Sequence, residues 1–439
     1  MHAMSLLRGL IVVSALSACE RDRLAPSVSP RCGDGVAVAG EVCLSSSAVD
    51  IPYTYDFIRR VHSEPNSDNL FAMSQWFQQC WALFFTPITM TEAPQPITSF
   101  EFTDRDLFHP EVADLDGDGR TDLISVAQYW FFDGVSDFQQ ARFQIEYWHN
   151  IGGFKFELAD FTYAGNLFFP TLAIGDVNGD GIDDAVVIDA SSEGYVWTHE
   201  PGAKELKAFS IDLEPLHLVA HPFLAAADRN GDAYADFVLT DGTGRVWWLI
   251  GGPEHRLTVL DPAGSLALDP EPGSLYARDL DDDGHVDLVA VRMNTSEEDR
   301  PTDSISVARG RADGGFERLT SFETQVRLTF ADLEFFPAIP LAHLGFIDLD
   351  GTGQLALVYA HHERPELIVH PHIARTQGAA PVTLPLDFPA KSLFVDDLDA
   401  DGDPSIYVAI TDRQTVEPSH DEPDGVLERH YLVQFVPDL

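Results

Sequence analysis

A nine-residue pattern rich in aspartate recurs along the chain, and its spacing fixes how much polypeptide each structural unit can contain. It reads Asp114-Leu-Asp116-Gly-Asp118-Gly-Arg-Thr-Asp122, then Asp176-Val-Asn178-Gly-Asp180-Gly-Ile-Asp-Asp184. The third and fourth copies are Asp228-Arg-Asn230-Gly-Asp232-Ala-Tyr-Ala-Asp236 and Asp279-Leu-Asp281-Asp-Asp283-Gly-His-Val-Asp287. Two degenerate copies follow. One spans 348–356 and puts Thr352 and Ala356 where acids are wanted; the other begins Asp397-Leu-Asp399-Ala-Asp401 and ends on Pro404 and Ser405. Successive copies start 62, 52, 51, 69 and 49 residues apart. A period of that size marks one supersecondary unit stacked many times.

The flanks of each copy read as strands. Thr171–Ile174, Phe223–Ala226 and Ser392–Val395 precede an acidic segment, while Leu123–Val126, Ala185–Ile188, Phe237–Leu239 and Leu288–Val291 follow one. Such short apolar runs, rich in β-branched residues and bounded by turn residues, are the signature of strands buried on both faces. A third run follows, as in Gly194–Thr198 or Arg245–Ile250, and a fourth closes the unit, as in Arg256–Leu260. The unit is therefore strand A, acidic loop, strand B, strand C, strand D. The chain is predicted to be all-β, a β-propeller of six to seven four-stranded blades with Asp-rich loops.

The repeats resemble the FG-GAP/VCBS family, the calcium-loop propellers that include the integrin α-subunit head, over about residues 100 to 439. Phe-Gly and Gly-Ala-Pro dipeptides are not kept at their places, although Gly251-Gly252 after a strand C has that flavour.

The loop chemistry points to calcium on its own terms. Calcium takes six to eight hard oxygen ligands, and Asp at alternate positions of a tight loop turns successive carboxylates into one cavity. Positions 1, 3, 5 and 9 supply side chains, position 7 a backbone carbonyl, and Gly at positions 4 and 6 lets the chain turn without a Cβ clash. Ligands are thus expected at Asp114, Asp116, Asp118 and Asp122; Asp176, Asn178, Asp180 and Asp184; Asp228, Asn230, Asp232 and Asp236; Asp279, Asp281, Asp283 and Asp287; and Asp397, Asp399 and Asp401. That makes about four to five Ca2+ ions, with the loop at 348–356 weak or empty. An EF-hand would need flanking helices and an acid at position 12. That position holds Ser125, Val187, Leu239 and Ala290.

The N-terminus reads as a processing segment. Arg8 precedes the apolar run Leu10–Leu16, too short to span a bilayer, and Leu16-Ser17-Ala18-Cys19 resembles the lipobox of bacterial lipoproteins. Residues 1–18 are then a signal peptide and Cys19 carries lipid, anchoring the chain in the cell envelope at the outer membrane, on its periplasmic or surface side. Residues 19–50 read as a linker in which Cys32 and Cys43 can form a disulfide in an oxidising compartment. Cys80 reads as a buried core residue. Residues 51–105 are an N-terminal extension or loopless blade, with Ile97–Phe102 offered as the strand that closes the ring, and 106–439 are the propeller proper.

Partners are bounded by charge and topology. A formal net charge of −44 with 45% hydrophobic residues describes a folded acidic protein that repels nucleic acid. A–B and C–D turns share one face, so the longer B–C connections lie opposite the acidic loops, and loops of that kind carry function. Trp130, Phe131 and Phe132 form a candidate aromatic platform there. His361, His362, His370 and His372 form a candidate transition-metal cluster. No Gly-x-Ser-x-Gly, P-loop or His-Glu-x-x-His motif is present. The expected function is binding of a macromolecule, protein or polysaccharide, in adhesion or within an envelope complex. The alternatives are a carbohydrate-binding or polysaccharide-degrading protein and a structural envelope component.

Overall fold

In the computed structural model the backbone is described for 44–51, 57–61, 69–76, 80–86, 98–102 and most of 106–437, and side chains across most of 111–436. Strand β1 (Leu44–Ile51) is followed by β2 to β5 (Phe57–Val61, Asn69–Trp76, Cys80–Thr86, Thr98–Phe102) and β6 to β9 (Asp106–Ala113, Asp122–Phe131, Gln140–Asn150, Phe156–Tyr163). Then come β10 to β13 (Thr171–Gly175, Asp184–Ile188, Gly194–His199, Leu206–Ser210) and β14 to β17 (Phe223–Ala227, Asp236–Thr240, Val246–Ile250, Thr258–Leu260). The chain continues through β18 to β21 (Pro272–Arg278, Asp287–Arg292, Ser304–Gly310, Phe316–Glu323) and β22 to β25 (Leu344–Asp348, Leu355–Ala360, Glu366–His370, Val382–Pro385). It ends with β26 to β28 (Ala390–Asp396, Ser405–Thr415, Val426–Pro437).

Among the described residues these strands form seven four-stranded antiparallel sheets. Six are consecutive in sequence: the loopless blade β2–β5, then blades 1 to 5, ending at β25. The last, blade 6, has the order β26, β27, β28, β1. The first strands of successive sheets touch, with β2 meeting β6 and β26, β6 meeting β10, β10 meeting β14, β14 meeting β18, and β22 meeting β26. The remaining junction, from β18 to β22, is made by Tyr276 against Phe346, edge to face at 5.6 Å. The fold is a closed β-propeller whose A strands are innermost.

The stacking explains why the B strands read as unbroken apolar runs. Successive side chains of a strand point to opposite faces, and both faces of an inner strand are covered by neighbouring blades. In β11, Ala185 and Val187 pack with Ile124, Val126 and Tyr147 of blade 1. Val186 and Ile188 pack the other way, with Phe237, Leu239 and Leu249 of blade 3. The same alternation carries Val238 and Trp248 onto Leu288 and Ala290, Val289 and Val291 onto Leu357 and Tyr359, and Val358 onto Ile406 and Val408. Each fully buried Val or Leu contributes roughly 1.5–3 kcal/mol. The outer strands run against solvent instead, as β13 and β17 show by their largely exposed side chains.

The ring closes differently from the sequence expectation. Thr98–Phe102 is the outer strand of the loopless blade, paired with β4. The fourth strand of blade 6 is β1, whose Leu44 to Ile51 run antiparallel to Pro437 to His430. The segment Leu-Ser-Ser-Ser-Ala-Val-Asp-Ile lacks the continuous apolar run of an inner strand, and an outermost strand does not need one. Cys19, Cys32 and Cys43 lie outside the described residues, as does the side chain of Cys80.

Candidate metal centres

Every acidic segment in the described residues forms the A–B turn of its blade, so all of them lie on one face of the propeller. The register is the same each time: the position-9 aspartate opens strand B and pairs with the residue just before position 1. The pairs are Ala113 with Asp122, Gly175 with Asp184, Ala227 with Asp236, and Arg278 with Asp287.

Between those anchors the backbone turns through positive φ at positions 4 and 6. The residues are Gly117 and Gly119, Gly179 and Gly181, Gly231 and Ala233, Asp282 and Gly284, and Gly351 and Gly353. Glycine is the expected occupant because left-handed backbone costs an L-residue about 1–2 kcal/mol. Ala233 and Asp282 are the departures, at φ 70° and 59°.

The carboxylates are not loose. Position 1 ties the turn: Asp114 accepts from the Asp118 and Gly119 N–H groups at 3.1 and 2.8 Å. Asp176 accepts from Gly179, Asp180 and Gly181, and Asp279 from Asp283 and Gly284. Position 5 accepts from the position-7 N–H, as Asp118 does from Arg120 and Asp283 from His285. Position 9 lies beneath the loop and is almost fully buried, 0–1% exposed in Asp122, Asp184, Asp236 and Asp287. It accepts from the position-2 N–H of its own loop, Leu115, Val177, Arg229 or Leu280. In blades 1, 3 and 4 its other oxygen accepts from the end of strand C or the residue just after it: Asn150, Gly251 or Gly310. A Cβ on Gly251 would overlap the Ala235 carbonyl oxygen, and one on Gly310 that of Val286. These glycines are therefore required by close approach.

Burial with like-charged neighbours makes these acids hard to ionise. Burial pushes the Asp122 carboxyl up to about 7, with Asp116 adding to the rise and the Asn150 N–H opposing it. It pushes Asp184 up to about 7 and Asp287 to about 6, and it raises Asp116, Asp236 and Asp281 as well. Sites of this kind favour a proton or a cation.

Among the described residues, three groups bring ligand atoms within 4.8 Å of one another: Asp114, Asp116 and Asp118; Asp116, Asp122 and His149; and Asp279, Asp281 and Asp287. Blades 1 and 4 thus each present acidic side chains close enough to hold a metal ion. In blade 4 the Arg309 guanidinium reaches Asp281 and Asp283, both at 2.8 Å. In blade 1 Arg120 pairs with Asp118. In blade 2 Asp184 Oδ1 is buried without a hydrogen-bond partner, and Asn178 bridges Asp184 at 3.3 Å and the His255 ring of blade 3 at 3.0 Å. In blade 3 the Asn230 amide turns to Asp232 at 2.9 Å, in an exposed turn. In blade 5 the turn survives with fewer acids: Thr352 donates from its hydroxyl to Asp350 at 2.6 Å, and Ala356 at position 9 is buried in apolar core. Asp397, Asp399 and Asp401 lie outside the described residues.

Sequence reading missed His149, Arg309 and the strand C glycines. They sit 15 to 27 residues beyond their loops in sequence, and only the register of strand C against strand B brings them back.

On the opposite face, Trp130 and Phe131 occupy the end of β7, paired with Ala141 and Gln140. Their side chains, and Phe132, lie outside the described residues. Of the histidine cluster, His361, His362 and His372 are likewise outside. His370 lies between Phe322 and Tyr359, stacked at 4.6 and 5.6 Å, and burial pulls it down to about 4. It is a half-buried aromatic at the junction between blades 4 and 5.

The fold places the chain among the β-propeller proteins, here with seven blades. No protein-family model matches it, and no curated protein does. It is similar in structure to an Agrocybe aegerita lectin that specifically recognises non-reducing terminal N-acetylglucosamine, at 15% identity over 80% of this chain and 82% of the lectin, with a TM-score of 0.48. A provisionally assigned 6-phosphogluconolactonase from Bacteroides uniformis aligns at 13% identity over 79% and 89% of the two chains, TM-score 0.47. A functionally unknown protein from Desulfotomaculum acetoxidans aligns at 13% identity over 76% and 91%, TM-score 0.45.

Proposed function

We propose that this chain is a calcium-loaded propeller of the FG-GAP/VCBS kind, held in the cell envelope by lipid on Cys19, that acts by binding a macromolecular partner rather than by catalysis. The observation that carries the calcium reading is the recurrence of one cradle, with a buried aspartate at position 9 whose ionisation is disfavoured until a cation arrives. Asp114, Asp116, Asp118 and Asp122 would hold the ion in blade 1 and Asp279, Asp281, Asp283 and Asp287 in blade 4. Asp176, Asn178, Asp180 and Asp184 would do so in blade 2, and Asp228, Asn230, Asp232 and Asp236 in blade 3. Bound calcium would pin each A–B turn and neutralise charge that otherwise opposes the closed ring.

The partner, protein or polysaccharide, is assigned to the face away from these loops, the side of the B–C connections that the sequence makes long. Calcium titration by calorimetry tests the first half: about four ions are expected, and no heat would overturn it. Crosslinking on intact cells, compared with a glycan array, tests the second. A defined protein captured through a B–C loop supports the reading. Strong calcium-dependent sugar binding would replace a protein partner with a carbohydrate, and capture through the acidic-loop face alone would refute the assigned face.

A further inference from the structure

We propose that the first loop contains a second cation position, built by Asp116, Asp122 and His149, that takes a first-row divalent ion of the zinc class in preference to calcium. His149 Nδ1 lies 2.9 Å from Asp116 Oδ2 and 3.3 Å from Asp122 Oδ1. Ligand atoms that share an ion at about 2.0–2.2 Å, the zinc distance, stand roughly 2.9–3.5 Å apart in tetrahedral or octahedral arrangements. The same nitrogen is buried and makes no aligned hydrogen bond; its two carboxylate contacts are ion pairs only when the ring carries a second proton, and a divalent ion held among the three groups would satisfy the same geometry with a neutral imidazole.

The nitrogen also sets the preference. Calcium is served by oxygen alone, whereas imidazole suits zinc and its neighbours. Three protein ligands with the imidazole 27% exposed leave access for water at a fourth position. Asp122 is oriented from behind by the Tyr147 hydroxyl at 3.0 Å and the Asn150 N–H at 2.8 Å. Contacts of that kind fix ligands at metal sites.

Blade 1 differs here from its neighbours. Leu123 pairs with Trp148, so His149 falls opposite Asp122. By the same register Thr198, Ile250 and Arg309 fall opposite position 9 in blades 2, 3 and 4. None of those three is a transition-metal ligand. Asp116 and Asp122 are shared with the calcium set proposed for this loop, and Asp116 belongs also to the outer group with Asp114 and Asp118; the inner position does not depend on calcium filling that outer group.

The test uses the full chain in saturating calcium, with Zn2+ by calorimetry and Co2+ by visible absorption. The wild type is expected to bind zinc and to give the intense cobalt bands of a low-coordinate N/O site. Because the chain has 16 histidines, variants decide the location. His149→Gln, which keeps a polar side chain without the imidazole, should abolish the cobalt bands and weaken zinc by more than the roughly 10–100-fold typical of an outer-shell change. Asp118→Asn should keep both signals while weakening calcium. Unfolding curves check that each variant is folded, and His149→Ala serves if His149→Gln is not. Absent cobalt bands in the wild type, or bands unchanged in a folded His149 variant, would overturn the proposal. Zinc binding without any calcium heat would leave it standing and remove the calcium reading instead.

Discussion

Removing divalent cations should make this protein's stability fall as pH rises, the reverse of ordinary acid denaturation. In the folded chain burial holds Asp122 and Asp184 near 7, against 3.8 for an unperturbed group. Between those values the folded protein keeps a proton that the unfolded chain has released. A raised carboxyl therefore contributes stability that is complete below about pH 4 and lost as pH climbs through about 7. At about 1.4 kcal/mol per pH unit, three units amount to an upper limit of about 4 kcal/mol for each group. With an unfolding entropy near 2.1 cal/mol/K per residue over the chain, the pair corresponds to roughly 8–10 °C in Tm. On the proposed calcium reading, the bound ion would take the place of the protons, so protein saturated with calcium should not show this loss. His370, pulled down to about 4, works in the opposite sense between about pH 4 and 6.5. A His370→Phe background removes it. The assay is calorimetric melting with chelator or with calcium at about pH 5 and about pH 8. The gain from calcium should widen toward the alkaline end. A metal-free Tm that stays level or rises over that interval in the His370→Phe background would refute the reasoning.

Gly310→Ala should destabilise the protein by about 2–4 kcal/mol, because a Cβ meets the Val286 carbonyl oxygen and displaces the Gly310 N–H from Asp287. Denaturant unfolding measures it, and a loss under about 0.5 kcal/mol would contradict the close approach. Ala233→Gly should stabilise by about 0.5–1 kcal/mol, since relief of left-handed strain exceeds the added chain entropy. Arg309→Gln should raise calcium affinity at the fourth loop by roughly fivefold, as the ion no longer competes with a guanidinium in an exposed pair worth at most about 1 kcal/mol. Calcium titration of the variant reads this out.

The parts of the fold legible in the sequence are those whose partners lie close along the chain. A nine-residue loop contains both its anchors, so Asp114 to Asp122 declared the turn, its glycines and the strand that follows. The alternation in Ala185 to Ile188 was written as an unbroken apolar run because blades cover both faces. The position of these loops at the A–B turns followed from the same local order. What the sequence could not show was which residues return to the loops from strand C. Nothing in the composition of Tyr147 to Asn150 marks His149 as a neighbour of Asp116, since one residue of slip in the β7–β8 register would turn it to the other face. Blade closure was hidden for a related reason. Leu44–Ile51 and Val426–Pro437 stand at opposite ends of the chain, and an outer strand is recognised through backbone pairing, which its side chains do not encode. Local chemistry was therefore set by the sequence alone, while the pairing of distant strands, and with it the inner half of each candidate metal centre, was decided by the tertiary structure.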